Sequence, residues 1–236
     1  SEYALPDSLA PTPSRPVLEL FSLHGRTALV TEGREVCLEL YAAVATQGIG
    51  KSIAIALAQA GARVILVQRD VTMSATKDAI NALPGSAGAA VVQGDLANLD
   101  DCSLIFQRAL DSAPEGIDIL VNCGGMLMRE DSVNVTRADW NTASLDSATL
   151  LDQVLDVNLN SLFILSQHAG EHFISRKRGK IINVASLNSF IGGFRVASYS
   201  AAKGAVLQLT KALSNEWARY NINVNAIAPG SIATDM

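Results

Sequence analysis

The sequence predicts a doubly wound parallel α/β sheet in a single domain, on three observations. From Arg26 onward, short β-branched runs alternate with longer amphipathic stretches, the pattern of βαβ units with right-handed crossovers. The apolar content is aliphatic: 49% of the residues are hydrophobic but only 5% aromatic, which suits helices on a parallel sheet better than a β-sandwich. Finally, 236 residues suffice to bury a substantial core in one domain, and no internal repeat or second domain is visible.

Each element follows in order. Residues 1–22 hold Pro6, Pro11, Pro13 and Pro16 without an apolar h-region, so they are expected to form a flexible arm and not a signal peptide. The main domain then runs over 23–236. Its strands are expected at 27–31, 63–67, 90–93, 117–122, 180–184 and 223–226. Helices are expected at 51–60, 76–82, 101–112, 148–175 and 199–220. After the first strand the fold needs a glycine turn opening a helix, and Gln47, Gly48, Ile49 and Gly50 supply it. Glycines there let the backbone approach a pyrophosphate at the helix N-terminus, although a turn made for packing alone looks the same. In such sheets ligands sit beyond the carboxyl ends of the strands, so the residues just after each strand carry most of the chemistry.

Tyr199 and Lys203 stand four positions apart and share a helix face. An ammonium there favours phenolate and lowers a tyrosine pKa from its usual ~10, which makes a general acid/base; the bland alternative is an amphipathic helix with a solvated lysine. Ser186, just past the fifth strand, falls on the ligand-facing edge, where its hydroxyl can bind the same substrate oxygen.

With these residues the chain resembles the short-chain dehydrogenase/reductase family, from Leu23 to Met236, and hence a Rossmann-type fold. Asn122-Cys123-Gly124-Gly125 resembles the family's Asn-Asn-Ala-Gly, with Gly124 in place of Ala. Asp95 and Leu96 resemble the adenine-contacting position, Asn158 matches the helix asparagine of the catalytic tetrad, and Pro229, Gly230, Ile232 and Thr234 match the segment that closes over the nicotinamide. The resemblance implies hydride transfer between a nicotinamide and a carbonyl or secondary alcohol. Tyr199 would move the proton, Lys203 would hold the ribose hydroxyls and keep Tyr199 acidic, Ser186 would stabilise the oxyanion, and Asn158 would support a water in the proton relay. For Asn158 alone, a buried helix amide is the plainer reading.

The second strand ends in Gln68-Arg69-Asp70. A carboxylate at position 68 would bond the ribose 2′-hydroxyl of NAD; its absence, with Arg69 following, leaves room and charge for a 2′-phosphate. NADP(H) is therefore favoured over NAD(H), although an inward Asp70 would argue the other way. Within the family, Met128-Arg129-Glu130-Asp131, His172-Phe173-Ile174 and Ser189-Phe190-Ile191-Gly192-Gly193 resemble the branch of 2-deoxy-D-gluconate 3-dehydrogenase and related keto-deoxy sugar-acid dehydrogenases. Arg129 and Arg195 are candidate partners for a substrate carboxylate, and ordinary surface arginines otherwise. A 3-oxoacyl reductase shares most of the same motifs and is the alternative.

Composition excludes several other classes. The net charge is -5, from 18 basic and 23 acidic residues, and Arg176-Lys177-Arg178 is the longest basic run, so nucleic acid finds no electrostatic footprint. No apolar stretch approaches the ~20 residues of a membrane helix. Cys37, Cys102 and Cys123 are odd in number and lack Cys-x-x-Cys spacing, which argues against a disulfide framework and for a reducing cytoplasm. His168-Ala169-Gly170-Glu171-His172 spells an inverted zincin pattern, but His24 is the only other histidine and no distal acidic ligand stands out, so no metal is expected. The partner expected is a small-molecule substrate, and family resemblance implies a homo-oligomer, dimer or tetramer.

Two insertions depart from the family pattern. One, near 32–46, lies in the phosphate loop between Thr31 and Gly48, with Gly33 a candidate first glycine; the other, near 143–153, precedes Asn158. Eleven residues make about three helical turns, so the second preserves the face of Asn158. The chain also stops at Met236, where the family continues into a lid, a helix and a last strand, so it reads as C-terminally short. An impaired, non-enzymatic Rossmann scaffold is thus the second expectation.

Overall fold

A computed structural model describes residues 17–31, 48–127, 129–135 and 154–232. The expected insertions near 32–46 and 143–153 lie outside the described residues, as do most of the expected arm, Gln47 and Thr234. At the end of the arm segment, Val17–Phe21 forms a 3-10 helix.

Six strands form one parallel sheet: β1 (Thr27–Thr31), β2 (Arg63–Gln68), β3 (Ala89–Gln93), β4 (Ile119–Asn122), β5 (Gly179–Val184) and β6 (Ile222–Ile227), in the order β3-β2-β1-β4-β5-β6. The order reverses between β1 and β4, which opens a crevice beyond their carboxyl ends. The central strands read as unbroken apolar runs because helices cover both faces. Along β1 the side chains alternate. Ala28 and Val30 join Ala54, Ala58 and Ile80 from α1 (Ile49–Gln59) and α2 (Ala75–Asn81). Leu29 faces the other way, into a cluster with Ile105, Leu165, Phe173 and Leu213. Those residues come from α3 (Leu99–Asp111), α4 (Ser161–Arg176) and α6 (Ala197–Trp217); α5 (Asn188–Ile191) is a short helix between β5 and α6. Phe173 is fully buried, and its truncation to alanine would cost about 3–5 kcal/mol.

Helix ends follow local chemistry. Asn98 caps α3 by accepting the Asp101 N–H at 3.0 Å, with Asp100 and Asp101 in the first turn and Arg108 in the last, each suited to its end of the helix dipole. Before α4 the sequence predicted an unbroken helix over 148–175. The described chain instead makes a π-helical turn at Asp156–Asn160, and α4 begins only at Ser161. A π-turn shifts one backbone hydrogen bond, which an apolar pattern does not report.

One polar chain crosses the interior. The Asn122 Nδ2 donates to Asn183 Oδ1 (2.9 Å) and Ser166 Oγ (3.1 Å), Asn183 Nδ2 donates to Thr210 Oγ1 (2.9 Å), and the Thr210 hydroxyl donates to Val206 O (2.8 Å). Asn122 and Asn183 are register partners on β4 and β5, so the chain links two strands and two helices at one level.

Candidate active site

The carboxyl ends of the central strands gather most of the residues expected to act. Thr31, the last residue of β1, uses its Oγ1 to accept the N–H groups of Cys123 (3.0 Å) and Gly124 (3.1 Å), fixing the loop that leaves β4. Sequence reasoning missed Thr31; its position as the last residue of the strand beside the glycine loop was the available signal. A Cβ added at Gly124 would overlap the Leu96 Cδ1, which explains why glycine stands where alanine was the expected residue. Leu96 is buried beside Gly124, and Asp95 is half-buried. Asp95 makes its own turn: its Oδ1 accepts the Ala97 N–H (3.0 Å), while its N–H donates to Asp101 Oδ2 (2.7 Å). Burial raises the Asp101 pKa, but the Asp95 N–H and the Arg108 guanidinium at 2.7 Å outweigh it and hold the carboxyl below its ordinary range.

Asn158 lies within the π-turn and is fully buried. Its amide clasps the same loop: Nδ2 donates to Met126 O and Val154 O, both at 2.7 Å, and Oδ1 accepts the Met126 N–H at 3.3 Å. An added Cβ on Gly125 would stand 3.3 Å from Asn158 Oδ1 and 3.9 Å from Lys203 Nζ, so the structure brings these two side chains to one short stretch of backbone.

Lys203 is only 2% exposed, and its ammonium donates to Val184 O at 2.7 Å, at the very end of β5. Tyr199 sits in the first turn of α6, half-buried, with Lys203 Nζ 5.7 Å from its ring centre. The spacing of four residues thus does place both on one helix face. Ser186 follows β5 in a tight serine turn, in which its Oγ accepts the Asn188 N–H and Ser189 Oγ accepts the Ser186 N–H, both at 3.2 Å. Ser189 also donates to Lys203 O at 2.7 Å, which ties the Ser186 loop to the helix bearing Tyr199. Ser189 entered the sequence reading only within a matching stretch and without a role of its own; a second serine three places on is the signature of such a turn. Pro229 accepts the Leu187 N–H at 2.9 Å, and Gly230 and Ile232 follow it exposed beside the site.

The cofactor residues divide. Gly48 has φ +111°, which favours glycine, and its carbonyl begins α1 by accepting the Ser52 N–H. No acidic residue occupies the first turn of α1 and no side chain caps it, so its leading N–H groups, at Ile49 and Gly50, suit a pyrophosphate. At the end of β2, Gln68 is buried and Arg69 exposed. Asp70 turns to Thr72, accepting its N–H (2.9 Å) and hydroxyl (2.6 Å), and these bonds lower its pKa. The Asn122 side chain is spent in the interior chain and leaves its Oδ1 without a partner among the described residues.

The two arginine candidates lie in loops, one after β4 and one between α5 and α6. Arg195 pairs with Asp131 at 3.0 Å, while Arg129 is exposed in the loop after β4. In the zincin-like segment His172 faces the interior, its Nε2 3.2 Å from Ile117 N and 2.9 Å from Arg176 Nη1. Among the described residues no group of three His, Cys, Asp or Glu is placed to hold a metal, and no helix is long and apolar enough to cross a membrane.

A parallel sheet reversed between β1 and β4, with a tyrosine and a buried lysine beside its strand ends, defines the class as the doubly wound, dinucleotide-dependent oxidoreductases. The sequence pattern of the short chain dehydrogenase family matches residues 42–236, and the chain belongs to that family. It is an NAD(P)-dependent oxidoreductase of single-domain Rossmann type. The chain is 38% identical to the 2-dehydro-3-deoxy-D-gluconate 5-dehydrogenase of Escherichia coli K12 over 93% of its own length and 76% of that protein. It resembles the structure of a gluconate 5-dehydrogenase from Burkholderia cenocepacia in complex with NADP and tartrate, with TM-score 0.72 and 30% identity over 91% of this chain and 74% of that one. A 3-oxoacyl (acyl-carrier-protein) reductase from Agrobacterium tumefaciens with NADP bound has TM-score 0.77 and 31% identity, covering 94% and 76%.

Proposed function

We propose that the protein interconverts a ketone and a secondary alcohol of a sugar acid, using NADP(H) in preference to NAD(H). The observation that carries the reading is the buried Lys203 ammonium, tied to Val184 O at 2.7 Å and one helical turn from Tyr199. When bound, the nicotinamide supplies or accepts the hydride. Tyr199 carries the proton to or from the substrate oxygen, and the positive field of Lys203 favours its phenolate. Ser186, its hydroxyl fixed beside the Asn188 N–H, donates to the same oxygen as charge develops there. Asn158 holds the loop at Met126 and so supports the water path behind Lys203.

Gln47, Gly48, Ile49 and Gly50 serve the pyrophosphate, Asp95, Leu96, Asn122 and Gly124 line the adenosine side, Tyr199 and Lys203 serve the ribose, and Pro229, Gly230, Ile232 and Thr234 close over the ring. NADP(H) is supported by exposed Arg69, by the uncharged Gln68, and by an Asp70 carboxylate occupied with Thr72. For the substrate carboxylate Arg129 is the better handle, because Arg195 is engaged by Asp131. The names of the relatives support the sugar acid. The protein would act in the cytoplasm as a homo-oligomer, with residues 1–22 an arm on the domain at 23–236.

One observation favours a 3-oxoacyl substrate instead: Phe190, Ile191 and Phe194, next to Ser186, are 64%, 69% and 83% exposed, an apolar wall suited to an acyl chain. Steady-state assays with NADPH and NADH against keto-deoxy sugar acids and 3-oxoacyl thioesters decide between them. Tyr199→Phe is expected to abolish turnover, by about 100- to 10,000-fold, while leaving NADPH titration of protein fluorescence unchanged. Absence of binding by either nucleotide at millimolar concentration overturns the proposal in favour of an impaired scaffold.

A further inference from the structure

At the amino edge of the sheet, away from Tyr199, three guanidinium groups converge on one oxygen. Arg26, just before β1, lies 3.4 Å from Asp118 Oδ1; Arg176, at the end of α4, 3.3 Å; and Arg178, just before β5, 3.1 Å. Asp118 itself precedes β4, the strand between β1 and β5 in the sheet, so Arg26 and Arg178 flank it from the neighbouring strands while Arg176 reaches it from the end of α4. The second carboxylate oxygen accepts the Thr27 N–H at 3.2 Å. One negative charge therefore answers three positive ones, an excess of two in a protein whose net charge is -5.

The three arginines are unequal. Arg176 is built in: it also donates to Ile117 O (2.8 Å) and approaches His172 Nε2 (2.9 Å), and its side chain is 19% exposed. The Arg26 and Arg178 side chains are 43% and 47% exposed, and among the described residues the shared oxygen is the one ion-pair or hydrogen-bond partner of each guanidinium. A guanidinium has five N–H donors, so most of theirs face solvent. The local field is also felt by a neighbour: burial first, and then the Arg176 charge, hold His172 below the ordinary histidine pKa.

We propose that Arg26 and Arg178, on the floor formed by Arg176 and Asp118, bind a multivalent oxyanion: inorganic phosphate or the phosphoryl group of a small metabolite. Paired guanidinium forks match the oxygens of such an anion, and the excess charge that Asp118 leaves is what a dianion neutralises. The site is separate from the cofactor crevice, at the opposite edge of the sheet.

The test is thermal stability of the full chain against inorganic phosphate at constant ionic strength, balanced with sodium chloride. A saturable rise in melting temperature is expected, unchanged in Arg69→Gln and in the presence of saturating NADPH, which removes the cofactor's own phosphate subsite from account. Arg26→Gln combined with Arg178→Gln, which keeps the Arg176–Asp118 pair, should weaken the apparent affinity at least about tenfold, the effect of losing two charged donors. If the double variant does not fold, Arg178→Gln alone should weaken it by about threefold or more. A sugar monophosphate that binds tighter than inorganic phosphate supports the site and assigns it to a metabolite; equal affinity supports it and assigns it to free phosphate. A response to phosphate no greater than to chloride, or one undiminished by the arginine variants, overturns the proposal.

Discussion

Replacing Asn158 with alanine separates a structural clamp from a purely chemical role. The substitution deletes two donors at 2.7 Å and one acceptor at 3.3 Å in a side chain with no exposure, and strands Met126 N and Met126 O where water does not reach them freely. An unsatisfied buried backbone group costs about 1–3 kcal/mol, so the two Met126 groups set a ceiling of about 6 kcal/mol, and with partial relaxation of the loop the variant should lose about 2–4 kcal/mol. For a chain of this size that is a fall in melting temperature of roughly 4–16 °C. Asn158→Asp should destabilise as well, because a carboxylate cannot donate to either carbonyl, even with the Lys203 ammonium near the same loop. The assays are thermal and urea unfolding beside steady-state kinetics on the same preparations. The clamp reasoning is refuted if Asn158→Ala loses turnover yet melts within about 1 °C of the parent.

The other expectations are briefer. Gly124→Ala must displace Leu96, so it should cost about 1–3 kcal/mol and raise the KM for the nucleotide, read by unfolding and by cofactor titration. His172 titrates with a depressed folded pKa, so the unfolded chain binds its proton first; stability should be full above pH 6.5, the ordinary histidine value, and decline as pH falls below it. In His172→Gln that part of the pH dependence of melting should vanish. Cys102 has its thiol pushed up to about 12, by burial first and then by the charges of Asp101, Asp95 and Asp156, so iodoacetamide at pH 8 should label it only after denaturant is added, as peptide mass mapping can verify.

The sheet was legible because parallel strands covered on both faces must be continuous apolar runs, as in Arg63–Gln68, whose last five residues are all buried. Expected and observed strand ends differ by no more than two residues, the largest gap falling at the start of β4. Tyr199 and Lys203 were legible because four residues on a helix always make neighbours. The π-turn was not, since it arises from one rearranged backbone bond rather than from side-chain polarity. Nor was the use of Asn122: a motif records that an amide is required, not that its Nδ2 turns away from the crevice toward Asn183. Thr31 and Ser189 escaped because they touch backbone, and nothing in residue spacing marks a hydroxyl that positions a loop. Arg195 was read as a candidate carboxylate partner from the loop it occupies; its ion pair with Asp131 at 3.0 Å joins residues far apart in the chain, which residue spacing does not report.

The amide pair Asn122 and Asn183 bears on how the chain reaches its fold. Parallel strands joined through long crossovers form late and slowly, so β4 and β5 have time to meet out of alignment. Apolar runs such as Ile119–Asn122 and Gly179–Val184 would pack almost as well after a slip of two residues, which keeps each side chain on its own face. The amides would not: displaced by two, Asn122 would face Ile181 or Ala185 and Asn183 would face Gly124 or Leu120, with their polar atoms unanswered. Only the native alignment joins Asn122 Nδ2 to Asn183 Oδ1, so the pair works as a proofreading mark that makes near-miss sheets unstable enough to come apart and try again.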